Sequence, residues 1–276
     1  MHGHNIVIAV LPEGQYGAIA AAIAAKDMLR TFPAIRICLM VGTGGGVPTK
    51  HDIRLGDVVV SSPEGQYGAV LQYDYGKTTQ GQCFQPIGHL NNPPDLLLGA
   101  MTGFTLEHMQ HGHSLAQQIS EVLQNKPHLI HFKQPPADRD TLHYAHIIHE
   151  TSCLNGCGEV PGLKSRRPRE AHEDNPAIHY GRIASGNQLM KDAGFRDKLA
   201  KEQDVLCFEM EAGGLMNQLP CLVIRGISNY SDSHKNDEWQ GYAAMTAATY
   251  AKALLKIVGP GRIQTQANLN KFMCRS

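Results

Sequence analysis

The chain has 276 residues, 42% of them hydrophobic, and its 25 basic and 25 acidic side chains cancel to a formal net charge of zero. That length supports one large core or two smaller ones, and the balanced charge without a long basic run excludes nucleic acid and anionic membrane as expected partners. Seven scattered cysteines, an odd number, argue against a disulfide framework, and no stretch nears the roughly 20 apolar residues of a membrane span.

The opening Met1-His2-Gly3-His4 lacks the charged region and apolar stretch of a signal peptide, so a cytoplasmic protein is expected. Asn5 to Leu11 is a short apolar run and reads as a buried strand. Pro12-Glu13-Gly14 turns it into an alanine-rich helix from Ala18 to Leu29. After Pro33, a second strand covers Ile35 to Val41 and ends in Gly42-Thr43-Gly44-Gly45-Gly46-Val47-Pro48. Asp52 to Ser61 reads as a turn and a strand, and Ala69 to Tyr75 as another strand. Strand, helix and strand at this spacing predict a parallel crossover. The heptapeptide Pro12 to Ala18 recurs identically at Pro63 to Ala69. The flanks do not repeat, so two similar turns after strands explain it better than a tandem duplication.

Pro93-Pro94 precedes a helix-like stretch to about Leu123. Residues 126–179 are rich in proline, histidine and charge and read as an irregular insertion. Tyr180 to Ala184 is a strand. Ser185-Gly186-Asn187 then opens a helix to Lys201, with Asn187 as N-cap. Val205 to Phe208 and Cys221 to Ile227 are strands that each run directly into polar residues. In an open α/β sheet those polar ends would converge on one crevice. A last helix runs from about Trp239 to Val258, with a small-residue face at Ala243, Ala244, Ala247, Ala248 and Ala251, and Gly259-Pro260 stops it. The chain after Arg262 reads as a frayed tail.

Several constellations carry chemistry. The glycines of 42–46 let the backbone approach a ligand and aim N–H groups at an anion or water, although the spacing is neither the dinucleotide fingerprint nor a P-loop. A tight turn is the competing reading. Glu211, at a strand end, can accept hydrogen bonds from the cis-diol of a ribose and stabilise a cationic sugar. The alternative is an acid that compensates a helix dipole. His143, His146 and His149 with Cys153 and Cys157 do not match a structural zinc pattern, so a His-rich loop with ordinary thiols is expected and no metal is assigned. His108, His111 and His113 read as an exposed helical face. Arg166, Arg167 and Arg169 read as a solvated charge run.

Five stretches, VGTGGGVP, DIRLGDVVVS, HYGRIASGNQLMKD, CFEMEAGGLM and VIRGISNYSDSHK, occur in an order that resembles the nucleoside phosphorylase and nucleosidase superfamily. The likeness is greatest to its fungal members, which are often fused to signalling domains. The resemblance implies an α/β fold, a three-layer sandwich with a central mixed sheet. One nucleoside-phosphorylase-like domain would cover residues 1–262, with 126–179 as its insertion and 263–276 as a tail. It further implies a site in which Thr43, Gly44 and Gly45 line the phosphate or water position. Leu189 and Met190 border the base, Met210 and Glu211 hold the ribose, Glu209 is a further substrate-binding residue, and Asn229 and Asp232 address the base. Asn229, Asp232 and Glu211 form the expected catalytic set. The substrate would be a purine nucleoside, with water or phosphate as co-substrate, no cofactor, and a homo-oligomeric assembly.

Three departures refine this. Met40 stands where hexameric phosphorylases carry a phosphate-gripping arginine, and a thioether cannot bind a dianion, so hydrolysis is favoured over phosphorolysis. Asn229 replaces the aspartate with which adenine-releasing relatives protonate the purine N7, so either 6-oxopurines are preferred, catalysis is weak, or Asp232 substitutes. The family pattern is joined at His4-Asn5-Ile6-Val7-Ile8, so the family's first strands and the glutamate that positions the attacking water are expected to be missing. A catalytically silent nucleoside-binding or assembly module in a signalling protein is the alternative.

Overall fold

A computed structural model describes residues 2–81, 84–149, 162–170 and 172–269. Elements follow in chain order: helix α1 (Ala18–Thr31), strands β1 (Leu39–Gly46), β2 (Val58–Ser61) and β3 (Val70–Gln72), and the two-residue hairpin strands β4 (Gly76–Lys77) and β5 (Gln85–Pro86). Helices α2 (Asp95–His111) and α3 (Leu115–Asn125) come next, then β6 (Ile178–Ser185), α4 (Ala193–Gln203), β7 (Val205–Glu209), β8 (Leu222–Asn229), α5 (Gln240–Ile257) and the short α6 (Pro260–Gln264).

The main sheet has the order β2-β8-β1-β7-β6-β3, and β2 also pairs with β6. The sheet therefore curls until β2, β8, β1, β7 and β6 close a ring, with β3 attached outside. The α/β class and mixed sheet expected from the sequence are present: β1 is parallel to β8 but antiparallel to β7. Strand pleating sorts side chains to two cores. Val58, Val60, Leu222 and Ile224 face a cluster with Leu97, Phe104, Tyr250 and Leu254 of α2 and α5. Val59, Val223, Cys207 and Ile183 pack together on the opposite face.

Four expectations need correction. Residues 5–11 form no strand and are largely exposed, with Ile8 at 84% and Val10 at 79%. The ring has closed without them, so an apolar run finds no ladder partner, and the predicted first crossover is missing. The glycine run is not a loop after a strand. It is the upper half of β1, in register with β8 from Gly42↔Arg225 to Gly45↔Asn229. The long helix before Leu123 is two helices, broken where Gly112 adopts φ 70°. Past Arg262 the described residues, which end at 269, are docked rather than frayed: Leu269 is buried beside Leu29 and Leu219, and its amide donates to the Ile35 carbonyl at 2.8 Å.

Between 126 and 170 the described residues carry two 3-10 turns, Pro127–Phe132 and Ala137–Arg139, and are otherwise irregular. Two arginines of this region are far from solvated. Arg169 donates to the fully buried Asp57 at 2.7 and 2.5 Å, where His179 also approaches at 3.0 Å. Arg166 bonds the Tyr230 hydroxyl at 2.8 Å. In both cases a buried acceptor drew in a charge that sequence context placed in water. Arg167, by contrast, stays exposed with Glu173. The repeated heptapeptides both turn at a glycine of positive φ, Gly14 and Gly65, in keeping with two similar turns.

Candidate functional site

Arg225 organises the region. It rises from the middle of β8 and crosses β1 at Gly42, where a Cβ would lie 2.5 Å from its Nη1. Its Nη2 donates to Glu209 at 2.5 Å and to Glu211 at 3.1 Å, and its Nη1 donates to the Thr43 carbonyl at 3.2 Å. Burial alone would lower the Arg225 pKa, but the two carboxylates outweigh it and raise it, so the guanidinium stays charged. Arg225 lies within the VIRGISNYSDSHK stretch, and the family resemblance assigns it no role. A charged residue inside an otherwise apolar strand was the signal, because such a side chain is buried only when paired.

The two glutamates differ. Glu209 has a completely buried side chain, and it accepts the amides of Glu211 and Ala212 at 3.1 and 3.0 Å besides Arg225. That is a structural anchor, and its oxygens are committed. Glu211 is 16% exposed at its side chain and, among the described residues, accepts only Gly17 N at 3.2 Å besides Arg225. Gly17 is the N-cap of α1, and the next amide, Ala18 N, donates to Asn187 Oδ1 at 3.3 Å. Two acceptors thus sit on the positive end of α1.

Asn187 therefore does not cap its own helix, as the sequence had predicted. α4 starts later, capped by Asp192, which accepts Phe195 N at 2.9 Å. Asn187 instead is held by Asp74, which accepts its amide and side chain at 2.7 and 3.1 Å. The predicted base-bordering residues divide: Met190 packs on the cluster of Phe208, Leu71 and Tyr73, while Leu189 is exposed. Met210 is partly buried between the two glutamates. Burial, with Asp74 and Glu209, pushes the Tyr73 phenol up to about 12, so it remains a donor, here to the Gln188 carbonyl at 3.0 Å.

At the other end of the glycine run, Asn229 and Asp232 build two successive Asx-turns. Asn229 Oδ1 accepts Ser231 N at 3.0 Å, and Asp232 Oδ1 accepts His234 N at 3.0 Å. They fix Ser231 at φ 53° with its hydroxyl buried against Gly45, where no Cβ would fit. Asn229 and Asp232 are 8% and 4% exposed, and Arg196 lies 4.0 Å from Asp232. The His143 ring stacks on His234 at 3.6 Å, and burial together with His234 depresses the His143 pKa despite Asp232. Cys153 and Cys157 fall outside the described residues.

The expected convergence of strand ends takes a different form. β7 and β8 run in opposite senses beside β1, so Glu211 and Asn229 flank the glycine run from its two ends. From Gly42 to Gly45 that is roughly 10 Å of strand at the usual rise. Thr43 lies between them, its Oγ1 taking a hydrogen bond from Gln240 at 2.8 Å. At one end the partly exposed Glu211 can accept hydroxyls, whereas at the other the Asn229 amide is bonded within the protein, its Oδ1 to Ser231 N and its Nδ2 to Ser228 Oγ at 3.1 Å. Met40 below the run packs into the core.

A family model described as the phosphorylase superfamily matches residues 1–258. A nucleotide-binding leucine-rich repeat (NLR)-like protein of Hyaloscypha variabilis is 43% identical over 94% of this chain, which spans only 25% of that relative. An Escherichia coli ATP nucleosidase, Cap17, is 36% identical over 24% of the chain and 14% of its own length. Among solved structures, the 5'-methylthioadenosine/S-adenosylhomocysteine nucleosidase of Neisseria meningitidis, in complex with methylthio-immucillin-A, superposes with TM-score 0.51. It is 17% identical, over 87% of this chain and 78% of that one. Futalosine hydrolase of Helicobacter pylori gives 0.50 at 17% identity, over 87% and 76%.

Proposed function

The chain belongs to the phosphorylase superfamily, and from that premise we propose that it cleaves the N-glycosidic bond of purine nucleosides, with water favoured over phosphate as acceptor. One observation carries the reading: Glu211 is partly open to solvent and shared between Arg225 and the N-terminus of α1. Those partners hold the carboxylate in place, aimed to accept two ribose hydroxyls and to favour positive charge on the sugar. Thr43 and the glycine backbone lie between the sugar end and Asn229, in keeping with a role in orienting water. The core packing of Met40 supports hydrolysis, since no phosphate-gripping cation stands there.

Burial of Asn229 and Asp232 in their own turns favours a second reading, a module that binds nucleosides without turnover. Self-association is supported by the exposed Ile8, Val10, Ile19 and Ile23. Free base released from inosine, guanosine and adenosine, with and without phosphate, separates the readings. Release without phosphate is expected. Strictly phosphate-dependent release overturns the hydrolase reading, and calorimetric nucleoside binding without release establishes the silent module.

A further inference from the structure

The sequence left His108 and His113 as surface residues of a helix, but only the neighbouring His111 is exposed in that way. His108 lies in the last turn of α2. Gly112 then reverses the chain so that the His113 ring comes within 4.7 Å of the His108 ring. Asp174, from the segment before β6, closes the group. His108 Nε2 is 2.7 Å from Asp174 Oδ2, and His113 Nε2 is 3.5 Å from Asp174 Oδ1. One ligand atom from each residue lies within 4.8 Å of the others. The His113 side chain is only 5% exposed, and its buried Nε2 makes no hydrogen bond of good geometry among the described residues, with Asp174 Oδ1 at 3.5 Å and the Pro176 backbone as its polar neighbours. A ring nitrogen so placed, facing a carboxylate that is already shared, asks for a further atom between them.

We propose that His108, His113 and Asp174 hold a divalent transition-metal ion of the zinc class, with water completing four-coordination. Bonds of about 2.0–2.2 Å to imidazole and carboxylate in a tetrahedron place ligand atoms roughly 3.3 Å apart. The 3.5 Å from His113 Nε2 to Asp174 Oδ1 is close to that separation, while the 2.7 Å from His108 Nε2 to Oδ2 is a hydrogen-bond length that the ion would open by a few tenths of an ångström. Two imidazoles select against calcium and magnesium, which take oxygen ligands. A cleft of about 440 Å³ between α2, α3 and α5 is lined by both histidines and by Glu107, and gives ion and water a way in. None of Thr43, Glu209, Glu211, Asn229 or Asp232 lines it, so the proposal stands apart from the nucleoside reading. The ion would staple the end of α2 to the 164–177 segment, whose Arg166 and Arg169 reach Tyr230 and Asp57.

The test is titration of the whole chelator-treated chain with Co²⁺, followed by displacement with Zn²⁺. One equivalent should bind, with the visible absorption of four-coordinate cobalt and without the near-ultraviolet thiolate band that Cys153 and Cys157 would produce. Zn²⁺ should raise Tm. His113→Asn and Asp174→Asn should each weaken binding by more than the roughly 10–100-fold that loss of an outer partner costs, while His111→Asn should leave it unchanged. Should Asp174→Asn fail to fold, His108→Gln takes its place. No saturable binding by the natural chain, binding that persists in both ligand variants, or a thiolate band would overturn the proposal.

Discussion

Segment 5–11 and strand β8 are both short apolar stretches, yet all eight residues of β8 are buried while Ile8 and Val10 stand in solvent. The difference lies in partners, not composition. β8 is bonded to β1 along its length on one side and to β2 on the other, and α5 covers it. Segment 5–11 meets a ring already closed by β7 and by the β2–β6 pairing. Hydrophobicity alone does not make a strand; an unpaired backbone needs a free edge beside it. The same closure lets β8 carry Arg225 into the interior, where two carboxylates await it.

Four substitutions bear on that contrast. Arg225→Met leaves Glu209 buried without its cation and should cost about 3–5 kcal/mol in denaturant unfolding, the usual result of removing one partner of a buried pair. A loss under about 1 kcal/mol would mean that the pair is not buried as described. Ile224→Ala, in the core between β8 and the helices, should cost about 2–5 kcal/mol by the same measurement.

Asp57 tests how far buried ion pairs outside β8 contribute. Burial would raise its pKa, but the hydrogen bonds and charges of Arg169 and His179 outweigh it and hold it below the ordinary carboxylate value. A depressed acid stabilises the fold fully above its unfolded pKa, about 3.9, and loses that contribution as pH falls through the folded value. Denaturation midpoints measured from neutral pH down past about pH 4 should therefore fall steeply for the natural chain. Asp57→Asn should start lower and decline less. Equal acid slopes would remove Asp57 from the account. The smallest effect is expected at Ile8→Ala, within about 0.5 kcal/mol, because the side chain is already in water. A core-sized loss there would show that segment 5–11 is buried in solution.

Much of this was legible from residue order. The apolar runs at Val205–Phe208 and Cys221–Ile227 and the long final helix were found within a residue or two, because their apolar pattern and flanking polar ends agree with their burial. What failed was whatever depended on distant partners. Asn187 has the form of an N-cap, but the amide it accepts belongs to a helix 169 positions earlier. Glu209 and Glu211 look equivalent two positions apart, and only the location of Arg225 separates anchor from candidate ligand. His113 needed both the turn at Gly112 and Asp174 to become more than a surface residue.

The central claim is that Glu211 is the accessible member of the Glu209–Arg225–Glu211 group and grips the sugar. Base release from purine nucleosides by Glu211→Ala, measured beside its Tm, tests it most directly. The account predicts release lower by about 10²–10³-fold, the range seen when one transition-state contact is removed, with the fold retained because Glu209 still pairs Arg225. Release equal to that of the natural chain, at equal stability, would contradict it.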